Sequence, residues 1–177
     1  MKKLFFALWP DAAVRAALVR LQAGLDGKPT RPDKLHLTLA FLGQRPDDAL
    51  PALRHILATL PARPMTLEID RRGYFDSHQI AWAGMRAPPP ELLALRAALM
   101  QALTAAQFAP AYEQDRFHPH ITLRRKASPP PPAPFAPLLW RADEMVLAES
   151  TTQTGDYRIL ASRRLGREQD GSRAEVA

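Results

Sequence analysis

Apolar and polar positions alternate along several short stretches of the chain and recur at helical spacing along three others. Leu4–Leu8 is a short, wholly apolar run and reads as a buried first strand. Pro10-Asp11 then opens a helix with Ala13, Val14, Ala17, Leu18, Leu21 and Leu25 on one face, closed by Gly24, Gly27 and Pro29. The segment KLHLTLAFLG sets Leu35, Leu37 and Leu39 against His36 and Thr38, which is strand periodicity ending at Gly43. PDDALPALRHILATL is amphipathic, with acidic residues in its first turn where the helix dipole favours them. MTLEIDRRGYF and QIAWAGM read as two strands around a turn at 76–78. Leu92, Leu95, Leu99 and Leu103 form the buried stripe of a helix over 91–107, led in by prolines. PHITLRR is a further strand, and SPPPPAPFAP is a stiff connection without regular structure. EMVLAES and YRILASRRL suggest a closing antiparallel pair.

The predicted order is strand–helix–strand–helix–strand–strand–helix–strand–strand–strand. Few parallel crossovers are forced and several strands alternate cleanly. That favours an α+β fold with antiparallel sheets and helices packed outside. Residues 1–165 are expected to form one domain, and the polar, charged stretch 166–177 a disordered tail.

Composition narrows the function only slightly. The chain has 177 residues, 46% of them apolar, enough for one well-cored domain or two small lobes. It has no cysteine, so disulfides and thiolate metal sites are excluded. The opening MKKLFFALWP has only about half the apolar run of a secretory signal, and no segment approaches the roughly twenty apolar residues of a membrane span. A cytoplasmic monomer is the expectation. The formal net charge of +6 and the sequence pI of about 10.2 suit an anionic partner such as RNA, though surface solubility explains such a balance equally well.

The candidate chemistry lies in a repeat. His36-Leu37-Thr38-Leu39 and His120-Ile121-Thr122-Leu123 are two copies of His-x-Thr-Leu, each in a predicted strand that follows a helix. One copy reads as the wet face of a surface strand. Two copies in equivalent places suggest two related halves, each giving one strand to a shared site. Such a pair suits a 2′,3′-cyclic phosphate at an RNA end. In-line attack by water needs a base on one side of phosphorus and an acid on the other, and imidazole supplies either near neutrality. The threonine hydroxyls, one strand step away on the same faces, can donate to the non-bridging oxygens. A nearby arginine adds fixed charge, and no metal or cofactor is needed.

These motifs resemble those of the 2H phosphoesterases, named for two His-x-Thr-x motifs, and within them the RNA 2′,3′-cyclic phosphodiesterases, also called 2′-5′ RNA ligases. The resemblance runs from about Lys3 to Leu165 through LFFALWP, LHLTLAFLG, the hairpin between Gly73 and Trp82, FHPHITLRR and LAES…GDYRIL. It implies two similar lobes flanking a cleft. It implies His36 as proton donor to the ribose 3′ oxygen and His120 as the base that activates water. Thr38, Thr122 and Arg125 would bind the phosphate, and the product would be a 2′-phosphomonoester. Weak 2′-5′ ligase activity is also implied.

Strict alternation from His120 puts Arg124, not Arg125, on the face of Thr122. A bulge near Leu123 would reconcile geometry with resemblance. Phe75, His118 and Arg124 are candidate RNA contacts. Phe75 is as readily a core residue, and His118 as readily a brace for the strand end. A three-histidine metal site from His36, His118 and His120 leaves the threonines unexplained and lacks neighbouring carboxylates. Other readings of the chain are a cyclic phosphodiesterase of small nucleotides or of ADP-ribose cyclic phosphate, and an RNA-binding module without turnover.

Overall fold

The computed structural model describes residues 1–108, 117–151 and 153–166. Of the tail expected from 166 to 177, all but Gly166 lies outside them. The protein is α+β with antiparallel sheets, as the alternating strands predict. One four-stranded sheet is built from β1 (Lys2–Leu8), β3 (Leu37–Arg45), β9 (Glu144–Ser150) and β10 (Tyr157–Arg164), in the order β10-β9-β1-β3. A second holds β2 (Lys28–Pro29), β5 (Arg71–Phe75), β6 (Ile80–Gly84) and β7 (His120–Arg125), in the order β2-β7-β6-β5. Strands β4 (Met65–Ile69) and β8 (Leu138–Ala142) form a two-stranded sheet.

The helices are α1 (Ala12–Leu21), α2 (Leu50–Thr59) and α3 (Pro90–Ala105). Asp11 caps α1, its carboxylate accepting from the Val14 amide at 2.8 Å. The acidic start of the second helical segment is a 3-10 turn, Asp47–Ala49, leading into α2. Leu92, Leu95, Leu99 and Leu103 of α3 are buried in the main core, as their spacing predicts.

β1 is apolar from Leu4 onward because both of its faces are covered there. Leu4, Phe6 and Leu8 enter the main core, while Phe5, Ala7 and Trp9 join Val146 and Ala148 in a smaller cluster on the other side. Two departures from the sequence pattern have local causes. MTLEIDRRGYF breaks at Asp70, where the amide donates to the Gly84 carbonyl at 3.0 Å and the carboxylate accepts from the Arg86 amide at 2.9 Å. The chain changes sheets there, so one expected strand becomes β4 and β5. β8 follows the proline run; its alternation of buried Trp140 and Ala142 with exposed Leu139 is short and hidden by those prolines.

The topology bears out the suspected repeat. β1–α1–β3 is a strand, a helix and a strand that pairs antiparallel with the first. β6–α3–β7 repeats that plan. Each His-x-Thr motif sits at the start of the second strand of its unit.

Candidate active site

A cleft of about 620 Å³ opens between the two sheets, and His36, Thr38, His120, Thr122 and Arg125 all line it. The five residues singled out for catalysis and phosphate binding are therefore brought together. His36 stands one residue before β3 and His120 begins β7.

The two imidazoles are held alike. Nδ1 of His36 lies 2.6 Å from the Lys34 carbonyl, and Nδ1 of His120 lies 2.8 Å from the His118 carbonyl. A carbonyl oxygen only accepts, so each Nδ1 carries the hydrogen. Each neutral ring then presents Nε2 as its basic atom. The Nε2 of His36 is 2.9 Å from the Thr38 hydroxyl, which donates to it. A backbone carbonyl two residues upstream thus fixes the tautomer in both halves.

Burial disfavours charge on both rings. It pushes the pKa of His36 down to about 4, with His120 and Arg125 adding repulsion against the bonding pull of the Lys34 carbonyl. His120 is also lowered, by burial and then by His118 and Arg125, against its bond to the His118 carbonyl. Aromatic rings do the burying. Trp9 stacks on His36 at 5.4 Å and 13°, Phe5 lies tilted at 5.1 Å, and Tyr157 meets it edge-on at 5.3 Å. Phe75 meets His120 edge-on at 5.0 Å.

A bulge decides between the two arginines. Trp82 pairs with Thr122 and Ala81 with Arg124, so Leu123 is an extra residue in β7. The extra residue breaks the alternation after Thr122, and Arg125 lines the cleft. Arg124 instead donates to the carbonyls of Gln22, at 3.1 and 3.2 Å, and of Gly27, at 2.9 Å. Gly27 has a φ of +83°, and a Cβ there would come within 2.5 Å of the Arg125 carbonyl oxygen, so only glycine lets this turn close against the arginine.

The three candidate RNA contacts stand outside the cleft wall. Arg124 is committed to those carbonyls. His118 packs edge-on against Trp82 at 4.7 Å and against Phe75 at 5.3 Å, while its carbonyl orients His120. Phe75 completes that aromatic brace behind His120. Trp9 and Tyr157, which the motif pattern does not single out, both frame His36. The signal was present in LFFALWP, where both alternating sets are apolar and the second needs a covering of its own. Among the described residues no group of three His, Asp or Glu is placed to hold a metal ion.

The brace also yields a stability prediction. Gly73 pairs with Trp82 across β5 and β6, and a Cβ on it would sit 2.0 Å from the indole. Gly73→Ala is expected to destabilise the protein by about 1–3 kcal/mol through overpacking, read as a lowered urea midpoint. An unchanged midpoint would show that the indole has room to move.

The family model described as the 2′-5′ RNA ligase superfamily matches residues 9–154. The chain belongs to that superfamily. Among relatives, an RNA 2′,3′-cyclic phosphodiesterase of Thermus thermophilus is 37% identical over 163 residues, covering 84% of this chain and 81% of that protein. One from Escherichia coli is 36% identical over 139 residues, covering 73% and 78%. The apo crystal structure of E. coli LigT superposes with a TM-score of 0.80 at 30% identity, covering 94% of this chain and 98% of that one. LigT is also known complexed with 3′-AMP and with phosphate. The superfamily match spans both His-x-Thr motifs, and the likeness to LigT extends to most of the fold.

Proposed function

We propose that the protein hydrolyses 2′,3′-cyclic phosphodiester ends of RNA to 2′-phosphomonoesters. The observation that carries this reading is the pairing, in one cleft, of two imidazoles locked in the same tautomer with two threonines and one arginine. Relatives named for that activity support it.

The neutral Nε2 of His120 takes a proton from water as the water oxygen bonds to phosphorus. The bond from phosphorus to the ribose 3′ oxygen breaks, and protonated His36 gives its proton to that oxygen. The products are a 3′-hydroxyl and a 2′-phosphate, so atoms and charge balance. Thr38, Thr122 and Arg125 face the non-bridging oxygens, where negative charge grows in the transition state. A 5′-hydroxyl in place of water would give the joining reaction from which the superfamily takes its name.

The cleft suits an anionic substrate. Lys3, Lys28, Arg31 and Lys34 line it as well as Arg125. Arg31 pairs with Asp33 and with Asp156 at 2.7 Å, and Lys34 lies 3.8 Å from Asp156. Those pairs moderate the field on that side, whereas Arg125 has no carboxylate within ion-pair distance among the described residues.

The pH dependence follows from the burial. Hydrolysis needs one histidine protonated and the other neutral, so the rate is bell-shaped in pH. In the empty cleft both rings are held below the ordinary value of about 6.5, and the singly protonated pair peaks on the acid side of that value. A bound phosphate anion favours the imidazolium and raises the pair. The maximum of kcat/KM is therefore expected below pH 6.5, and the maximum of kcat at higher pH. A profile flat from pH 4 to 8 would contradict the two-histidine reaction. Hydrolysis is also expected to persist in excess chelator.

A further inference from the structure

Gln22 is a polar side chain in an apolar place. It caps the C-terminal end of α1 and is 6% exposed. A carboxamide buried that far needs fixed partners for its hydrogens. Its Nε2 donates to two backbone carbonyls, those of Thr30 at 2.9 Å and Leu123 at 3.0 Å. A carbonyl only accepts, so the amide nitrogen stands between them and both of its hydrogens are used.

The two carbonyls serve opposite walls of the cleft. Leu123 is the bulge residue of β7, directly after Thr122 and two residues before Arg125. A bulge leaves its extra residue outside the regular ladder, and here bonds from beyond the β6–β7 pair hold it. Thr30 follows β2, where the chain leaves the second sheet on its way to β3 in the first. The Thr30 amide donates to the same Leu123 carbonyl at 2.8 Å. The chain then enters a 3-10 turn, Pro32–Lys34, closed by the Lys34 amide on the Arg31 carbonyl at 2.9 Å. The Lys34 carbonyl in turn holds Nδ1 of His36 at 2.6 Å. One carboxamide thus touches the support of both motifs.

We propose that Gln22 is a positioning residue whose carboxamide fixes the Leu123 bulge against the Thr30 crossing, aiming Arg125 and setting where His36 stands relative to β7. The proposal rests on the hydrolase reading for the roles of those groups, and on the hydrogen bonds alone for the clip itself. Arg124 also joins β7 to the end of α1, yet it grips only the backbone carbonyls of Gln22 and Gly27 and lies off the path to His36. The two side chains are therefore each other's comparison. Removing either loosens the same corner, but only the loss of Gln22 releases Leu123 and Thr30.

The test replaces Gln22 by Met, which keeps length and apolar bulk and donates nothing. Urea midpoint, kcat/KM on adenosine 2′,3′-cyclic phosphate and calorimetric affinity for inorganic phosphate are measured beside Arg124→Ala. Gln22→Met is expected to lower kcat/KM by roughly ten- to a hundredfold, the effect of misplacing a group by about 1 Å, and to weaken phosphate binding. Arg124→Ala is expected to lower the midpoint as much while kcat/KM stays near wild type. In an Arg125→Ala background, Gln22→Met is expected to weaken phosphate no further, because the group it aims is gone. Equal losses of kcat/KM in Gln22→Met and Arg124→Ala would make Gln22 merely structural and overturn the proposal, as would losses that multiply in the Arg125→Ala background. A crystal structure of Gln22→Met, or of Gln22→Asn if the first does not fold, separates the clip from the reaction. Arg125 displaced from the cleft wall, in a protein whose wild type is inactive, keeps the clip and removes the hydrolase reading. An unmoved β7 and an unmoved segment 30–34 overturn the clip whatever the turnover.

Discussion

His120→Ala is expected to lower kcat for a 2′,3′-cyclic phosphate by about 10²–10⁴-fold, the usual worth of a positioned acid or base, and His36→Ala by a similar factor. The double variant is expected to lose much less than the product of the two, because acid and base act in one step. The two losses differ in how they can be rescued. A cyclic ester with sulfur in place of the bridging 3′ oxygen leaves as a thiolate and needs no proton. His36→Ala is therefore expected to recover most of its rate on that substrate, and His120→Ala none. Recovery in His120→Ala instead would exchange the roles of the two histidines. Both imidazoles also pack on aromatic rings, His36 on Trp9 and Phe5 and His120 on Phe75, so lost packing must be separated from lost chemistry. Thermal unfolding close to wild type is the control.

Arg125→Ala is expected to cost about 10²–10³-fold in kcat/KM, as for the loss of one preorganised partner of transition-state charge. Arg125→Lys is expected to recover only part, because a point charge cannot replace a planar fork. The adjacent Arg124→Ala separates position in the chain from position in the site. Its guanidinium serves the Gln22 and Gly27 carbonyls, so the change is expected to cost about 1.5–3 kcal/mol of stability and little of kcat. If Arg124→Ala abolishes turnover at unchanged stability while Arg125→Ala does not, the bulge at Leu123 does not direct the phosphate contact.

Much of the site was legible in the sequence because a strand's two-residue period places His and Thr of each motif on one face without knowledge of anything else. The repeat then implied that the two faces meet. What alternation cannot show is a bulge, since the extra residue is defined by the partner strand's register and not by its own chemistry. Arg125 and Arg124 were therefore undecidable from pattern alone. Trp9 was missed for a related reason. Its contact with His36 depends on β1 and β3 lying side by side, which the pairing of Leu8 with Leu37 establishes but no local periodicity predicts. The core was read more fully. Leu92, Leu95, Leu99 and Leu103 announce a buried helix face by spacing, and the structure buries all four. β8 escaped notice because a strand of five residues beside a proline run offers little period to detect.

The measurement that tests the central claim most directly is made on a short RNA ending in a 2′,3′-cyclic phosphate, incubated with the protein in excess chelator. Phosphorus NMR identifies the terminal phosphate. A 2′-monophosphate, absent with His36→Ala and with His120→Ala, is the expected result and establishes both the reaction and the direction in which the ring opens. A 3′-monophosphate would contradict the assignment of the leaving oxygen, and an unchanged cyclic end would contradict the hydrolase reading itself.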